Sequence, residues 1–394
     1  MTSPRTVLAD ALASGLAARG SEGLMRTRRV LDGPQGPRVM IDGIEYLSFS
    51  SNDYLGLAAD PRLVEAAHAA ASRFGNGAGA AHLLSGHCRL HQALEEALAE
   101  HTGRERALLF STGYMANLGV VQALIGAGDT VLQDRLDHAS LLDAARLSGA
   151  RHGRYPHGDA QALASRLERA RGRTLVLTDA VFSMDGDRAP LVELAASCRA
   201  QGAILMADDA HGYGVLGTDG AGSVAAAGLG VDEVPVLMAT LGKALGCCGA
   251  FVAGDAVLID HLINHARTYI YTTALPPAVA GAALCALGIV REEPERRERV
   301  LTLAARFQTA VRQIGLHTTG DGTPIQPVIL GDPSTATAVA AALAERGLLV
   351  PAVRPPTVPE GASRLRVSLS AGHSESDVDR LVDALDSIVP RERG

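Results

Sequence analysis

Between residues 107 and 253 the chain repeats one pattern, a short uninterrupted apolar run followed by a stretch with apolar positions at helical spacing. The runs at 107–111, 130–133, 174–178, 203–207, 235–240 and 249–253 predict strands. Most are separated by stretches at 114–125, 140–148, 160–170, 191–200 and 256–265 that predict helices. A strand that is apolar on both faces must be covered on both, so the alternation predicts an α/β fold with a mostly parallel central sheet between helical layers. In such sheets ligands gather at the carboxyl ends of the strands.

The flanking pattern is different. Val7, Leu8, Ala11, Leu12 and Leu16 mark an N-terminal helix, read as an arm packed on something larger, before a basic, turn-rich stretch with Arg26, Arg28 and Arg29. Residues 48–57 predict a short strand running into a polar turn, and Pro61 opens a helix to residue 71. The glycine-rich stretch 75–86 fits neither period; loops of that length inside compact domains are often functional. From Pro276 one long helical region with Arg/Glu pairs runs to about residue 315. Strands at 325–330, 348–353 and 365–369 with helices at 334–346 and 374–389 then form a small α+β lobe. The expected organisation is a helical arm over 1–48, a large α/β domain over 49–290 and a smaller α+β C-terminal domain over 291–394.

Composition narrows the function. A formal net charge of −7 and a pI near 6.0 give no support to nucleic-acid binding. The five cysteines lack zinc or redox spacing, which fits reduced thiols and a cytoplasmic protein. No apolar run approaches the roughly 20 residues of a membrane span, and no secretory pattern opens the chain. One number stands out: Lys243 is the single lysine against 35 arginines. A guanidinium stays protonated, whereas a desolvated amine can lose its proton and attack a carbonyl. Codon bias explains the arginines but not why the one lysine lies between Gly242 and Gly246, just after an apolar run.

Other candidate residues follow the predicted strands. Asp208 and Asp209, with His211 beyond them, end one; a carboxylate there can pair a cationic ring nitrogen, or simply cap a turn. Ser111, Thr112, Gly113 and Tyr114, with Asn117 one turn on, offer helix-start N–H groups for a phosphate, or an ordinary N-cap; Thr240 can add a hydroxyl. Asp137 and His138 follow another strand, where an imidazole can stack on a flat ring. His82, His87 and His91 match no metal motif, and no metal is expected. Arg354, followed by Pro355, Pro356, Thr357, Val358 and Pro359, is held by prolines in a way that suits capture of a carboxylate, or is a solvated arginine on a rigid turn.

Together, Thr240-Leu-Gly-Lys243, Asp208-Asp-Ala-His211, Asp137-His138-Ala-Ser and Phe182-Ser183-Met-Asp-Gly-Asp187 resemble the motifs of the α-oxoamine synthases. These are pyridoxal phosphate enzymes of the aspartate aminotransferase fold (fold type I). The runs Ser50-Ser-Asn52-Asp-Tyr-Leu-Gly56, His91-Gln-Ala-Leu-Glu and Arg354-Pro-Pro-Thr-Val-Pro359 look like those of the members that serve biotin biosynthesis. The resemblance implies pyridoxal 5'-phosphate on Lys243, Asp208 at its ring nitrogen, His211 and Ser183 near its oxygen and His138 stacked on its ring. It places Gly113, Tyr114 and Thr240 around the phosphate, with Thr272 or Thr273 reaching it from the second subunit of a homodimer, and Asn117 is expected among the cofactor-binding residues. Arg26, Asn52, His138, Arg354 and Thr357 are implied for substrates, namely L-alanine and pimeloyl-CoA or a pimeloyl-carrier protein. The alternatives are a relative that condenses glycine with a short acyl-CoA or makes an acyl signalling ketone and, from another class, a non-catalytic protein that only binds the cofactor.

Overall fold

The computed structural model describes residues 3–21 and 24–389. Two short strands open the sheet structure, β1 (Arg38–Ile41) and β2 (Ile44–Ser48), joined by a turn at Asp42 and Gly43, both at positive φ. Seven strands then build the central sheet: β3 (Arg106–Phe110), β4 (Thr130–Asp134), β5 (Arg151–Tyr155), β6 (Thr174–Asp179), β7 (Ile204–Asp208), β8 (Val236–Thr240) and β9 (Ala250–Gly254). Their order is β3-β9-β8-β7-β6-β4-β5, parallel except that β9 runs antiparallel to both neighbours.

The continuous apolar runs have the predicted cause. Along β6, Leu175 and Leu177 face one layer of the core and Val176 the other, and all six residues of the strand are buried. Helices Gly113–Leu124, Ala139–Leu147 and Ala256–His265 cover the first face; Ala160–Leu167 and Leu191–Gln201 cover the second.

The C-terminal part adds β10 (His317–Thr318), β11 (Ile325–Gly331), β12 (Leu348–Leu349), β13 (Ala352–Val353) and β14 (Ser363–Ser368). Four of these form a sheet in the order β10-β11-β14-β13, while β12 joins β2 and β1. The run read as one strand over 348–353 is therefore two. Pro351, which has no N–H to give a ladder, separates them, and the chain changes sheets across it.

Three further expectations are corrected. The long helical region is two helices, Pro277–Glu292 and Pro294–Gln313, because Glu293 precedes a proline and sits at φ −116°, ψ 67°. Among the described residues of the arm the helix is confined to Pro4–Ser21, with β1 and β2 following; none of the helix residues is buried on this chain, and Val7, Leu8, Leu12 and Leu16 are exposed. The strand expected from residue 48 instead ends there, and the following segment forms turns that lead to the helix Pro61–Phe74. No helix among the described residues is long and apolar enough to cross a membrane.

Candidate active site

The carboxyl ends of β4, β6, β7 and β8 converge on a cavity of about 190 Å³. Its walls include Gly113, Tyr114, Asn117, His138, Ser183, Asp208, His211, Thr240 and Lys243, which the sequence reading had singled out. Ser140, Asp179, Ala210 and Met238 complete it.

Lys243 follows β8 in a turn in which Gly246, at φ 64°, donates its N–H to the Lys243 carbonyl. A Cβ on Gly246 would meet Ala58 N at 2.4 Å, so glycine is required where the Lys243 turn passes residues 57 and 58. Nζ lies 2.7 Å from His211 Nε2. Burial lowers the Lys243 pKa to about 8, against the opposing charge of Asp208. His211 and His138 are both held below the ordinary imidazole value, chiefly by burial, and so stay neutral near pH 7.

Asp208 ends β7 with Oδ1 accepting from Ala210 N at 3.0 Å and Oδ2 from Asn117 Nδ2 at 2.8 Å. Asn117 also donates to Ser140 Oγ at 2.8 Å, and that hydroxyl lies 2.7 Å from His138 Nδ1. Asn117 Oδ1 is buried without a hydrogen-bond partner in this structure. The helix Gly113–Leu124 starts at the cavity wall, capped by Thr112 Oγ1 accepting from Met115 N at 3.1 Å. Its first N–H groups have no intrahelical acceptors and suit an anion.

Asp179, missed from the sequence, ends β6 beside Asp208 and accepts from His138 N at 2.8 Å. Asp137 accepts from Asp179 N at 2.9 Å and from Asp134 N at 3.1 Å. Burial, with the nearby charge of Asp179, pushes Asp137 well above the usual carboxylate range, and burial with the charge of Asp208 does the same to Asp179. An acid closing an apolar strand was the available signal for Asp179, the same one that picked out Asp208.

Arg366 is the other residue the sequence left unremarked. It is buried on β14 and donates from Nε to the Ser183 carbonyl and from Nη1 and Nη2 to Asn52 Oδ1, each at 3.2 Å. Asn52 and Lys243 share the wall of a second cavity, of about 550 Å³, on the side of residues 31–39. Arg354 and Thr357 line neither cavity; Arg354 is half-buried and Thr357 exposed. Arg26, Thr272 and Thr273 also lie outside both walls, with Arg26 and Thr273 exposed.

His82, His87 and His91 come together more closely than their spacing suggested, with one ring nitrogen of each within 4.8 Å of the others. His82 Nδ1 faces His87 Nδ1 at 2.9 Å. His91, however, uses both ring nitrogens on the backbone, accepting from Cys88 N at 3.0 Å and facing Leu275 O at 2.6 Å. The cluster thus ties the glycine-rich loop to the segment after Tyr271 through hydrogen bonds.

The comparisons agree with this geometry. Residues 44–385 match the family model for aminotransferase class I and II. An 8-amino-7-oxononanoate synthase of Pseudomonas fluorescens is 59% identical over 374 residues, covering 95% of each chain. One of Thioalkalivibrio sulfidiphilus is 57% identical over 95% of this chain and 96% of its own. Among solved structures, the Sphingomonas wittichii serine palmitoyltransferase superposes with a TM-score of 0.91 at 32% identity, covering 98% of both chains. The 8-amino-7-oxononanoate synthase of Francisella tularensis gives 0.78 at 28% identity, over 87% of this chain and 97% of that one. With this likeness running nearly end to end, the chain belongs to the class I and II aminotransferase family and, within it, to the 8-amino-7-oxononanoate synthases.

Proposed function

We propose that the chain condenses L-alanine with a pimeloyl thioester, pimeloyl-CoA or pimeloyl-carrier protein, releasing CO2 and the free thiol and giving 8-amino-7-oxononanoate for biotin biosynthesis. The observation that carries this reading is the placement of the single lysine amine, buried beside His211 and across one cavity from Asp208.

The residues present fit pyridoxal 5'-phosphate. Lys243 is the amine that would hold it covalently, Asp208 the anion for its ring nitrogen, and the helix start at Gly113 and Tyr114 the donor set for its phosphate; Thr240, whose hydroxyl donates to the Gly249 carbonyl at 2.9 Å, lines the same wall. The unpartnered Asn117 Oδ1 leaves an acceptor in the same wall. His138, His211 and Ser183 supply the remaining polar surface. When bound, the cofactor supplies a cationic ring that takes up the electron pair left as a bond to the substrate Cα breaks.

The chain's own groups do the rest. Once free, the Lys243 amine, with its pKa lowered to about 8, removes and returns the Cα proton near neutral pH. Asp208 is held in orientation toward the ring site by the N–H groups of Ala210 and Asn117. Arg366 and Asn52 are assigned the amino-acid carboxylate: Arg366 is buried, its charge reaches both Lys243 and His211, and it holds Asn52, which shares a cavity wall with Lys243. The second cavity, which also opens on Lys243, is the side from which the acyl donor approaches. A homodimer in the cytoplasm belongs to the same reading, supported by the uncovered apolar residues of the arm and by Thr272 and Thr273 lying outside their own chain's cavity.

The test is mass analysis after incubating the cofactor-loaded protein with alanine and pimeloyl-CoA, alongside Lys243→Ala. The expected result is the 8-amino-7-oxononanoate mass with the unaltered chain and neither product nor the visible absorbance of bound cofactor with the variant. Thiol release with glycine but not alanine would redirect the assignment to another α-oxoamine synthase; retained turnover in Lys243→Ala would overturn it.

A further inference from the structure

Residues 24–30 form neither helix nor strand, and they place Arg26, Arg28 and Arg29 within four positions, all exposed. Met25 and Val30, at 45% and 67% exposure, stand open among them. Several exposed arginines elsewhere are matched by acids: Arg62 by Asp60 and Glu293, Arg199 by Glu233, and Arg306 by Glu375 and Asp379. Arg26, Arg28 and Arg29 have no such partner among the described residues. The stretch 24–37 holds these three arginines against one acid, Asp32, a net charge of +2 in a chain of −7.

This segment leads straight into the second cavity, whose wall includes both Leu31 and Lys243. Arg29 is two residues from Leu31, so their Cα atoms are at most about 7 Å apart. Residues 24–30 do not themselves line the cavity. The cations therefore stand outside it, on the side from which the acyl donor approaches.

Both acyl donors of the reading above carry their thioester on a phosphopantetheine arm. In CoA the arm ends in a nucleotide; in a carrier protein it is attached to a folded, acidic domain. A nucleotide is held in a concave site, and residues 24–30 line neither cavity. Arginine and methionine on an open surface are residues that protein interfaces favour. Charge points the same way. A chain of net charge −7 repels an acidic protein over most of its surface, so encounter is steered to the place where cations lie unpaired.

We propose that residues 24–30 are the docking surface for an acidic acyl carrier protein, with Arg28 and Arg29 as charge anchors and Met25 and Val30 as apolar contacts. Docking there directs the thioester through the second cavity toward Lys243. The proposal rests on the reading of the chain as a pimeloyl transferase and names the carrier protein as the donor that this surface selects.

The test uses a fluorescently labelled bacterial acyl carrier protein without its phosphopantetheine arm, titrated with the full-length, cofactor-loaded protein and followed by anisotropy. The unaltered chain is expected to bind it at low salt and to lose it as salt is raised. In Arg28→Glu/Arg29→Glu binding is expected to weaken by about tenfold or more. Arg26 is left in place, since a substrate role is expected of it. No binding by the unaltered chain, or equal binding by the variant, overturns the proposal.

The acylated donors separate a protein contact from a phosphate contact. In the variant, kcat/KM for pimeloyl-carrier protein should fall by about tenfold or more, and that for pimeloyl-CoA by less than about twofold. An equal loss with both means that the arginines hold the phosphate the two donors share, and overturns the proposal. So does a variant whose assembly mass by sedimentation differs from that of the unaltered chain, because the patch would then be a contact between two copies of it. Should circular dichroism show that the charge reversal does not fold, Val30→Ser keeps every charge and is expected to weaken binding of the armless carrier by about threefold. Unchanged binding there overturns the proposal. Binding of the armless carrier needs no turnover, so its failure is distinct from failure to form the condensation product.

Discussion

His157 joins the end of β4 to the loop that carries Ser183, and replacing it with glutamine gives a test whose pH dependence is specific. Its Nδ1 lies 3.0 Å from Asp134 Oδ1 at the end of β4, and its Nε2 2.8 Å from Asp187 Oδ2 in the loop that carries Ser183. Burial alone would lower the pKa of this ring, but the two carboxylates lift it from 6.5 to about 10. That gap caps the contribution at about 4–5 kcal/mol. Two charge-assisted hydrogen bonds of about 1.5–3 kcal/mol each point to the same range. Glutamine recovers part of one bond, and Asp187 is 29% exposed, so a loss of about 2–3 kcal/mol is expected.

The sign follows from the raised pKa. Below pH 6.5 the ring is charged folded or unfolded, and its full contribution is present; as pH climbs toward 10 the folded state must hold a proton that the unfolded state has released, and the contribution fades. Urea denaturation of cofactor-free protein at one fixed concentration should therefore show the largest gap between the unaltered chain and His157→Gln at pH 6, and less than about 1 kcal/mol at pH 10. A gap that does not change with pH would mean that His157 acts as a neutral ring packed on Phe182, whose centroid is 4.3 Å away, and would refute the ion-pair reasoning.

Other substitutions separate neighbouring roles. Arg366→Lys should raise the alanine KM by roughly tenfold or more, because an ammonium cannot make the paired contact, while Arg354→Lys should leave it nearly unchanged; steady-state kinetics with alanine varied checks both. Asn117→Ala removes the donors to Asp208 and Ser140 and should cost about 2 kcal/mol in urea denaturation while weakening cofactor retention, read by absorbance on dilution. The Lys243 pKa should fall below about 8 in Asp179→Asn and rise above it in Arg366→Gln, since the carboxylate supports the charged amine and the guanidinium opposes it; a 15N titration that moves both the same way contradicts this.

The central sheet was legible because its strands are buried on both faces, and a strand in that position has no alternative to an unbroken apolar run. Where a strand lies at an edge the signal fails. Arg151–Tyr155 reads Arg-His-Gly-Arg-Tyr with only Tyr155 buried, as an edge exposed to water permits, and no apolar run marks it. The β1–β2 hairpin did carry a signal, Asp42-Gly43 between alternating residues, which went unread. In the site, residues that follow strands could be named from sequence because the sheet determines where strand ends go. Arg366 could not, because it lies within β14 among residues of a different sheet, and only the packing of that lobe against the Ser183 loop brings it near Asn52.

This difference between naming a residue and knowing its chemistry is sharpest at Lys243. Its identity as the single lysine is one fact about the sequence, but its basicity is set by groups from three parts of the fold. Burial between β7 and β8 lowers its pKa, Asp208 and Asp179 at neighbouring strand ends raise it, and Arg366 from the C-terminal sheet lowers it again. An arginine at position 243 would remain charged under all of these influences and could neither bond to a carbonyl nor accept a proton at neutral pH. The fold therefore needs an amine at this one point, and burial lowers its pKa first, with Arg366 of the C-terminal sheet a smaller influence in the same direction. The carboxylates beneath serve the same end. Asp137 and Asp179 accept backbone N–H groups across the ends of β4 and β6, so the segment that presents His138 is fixed by these two acids.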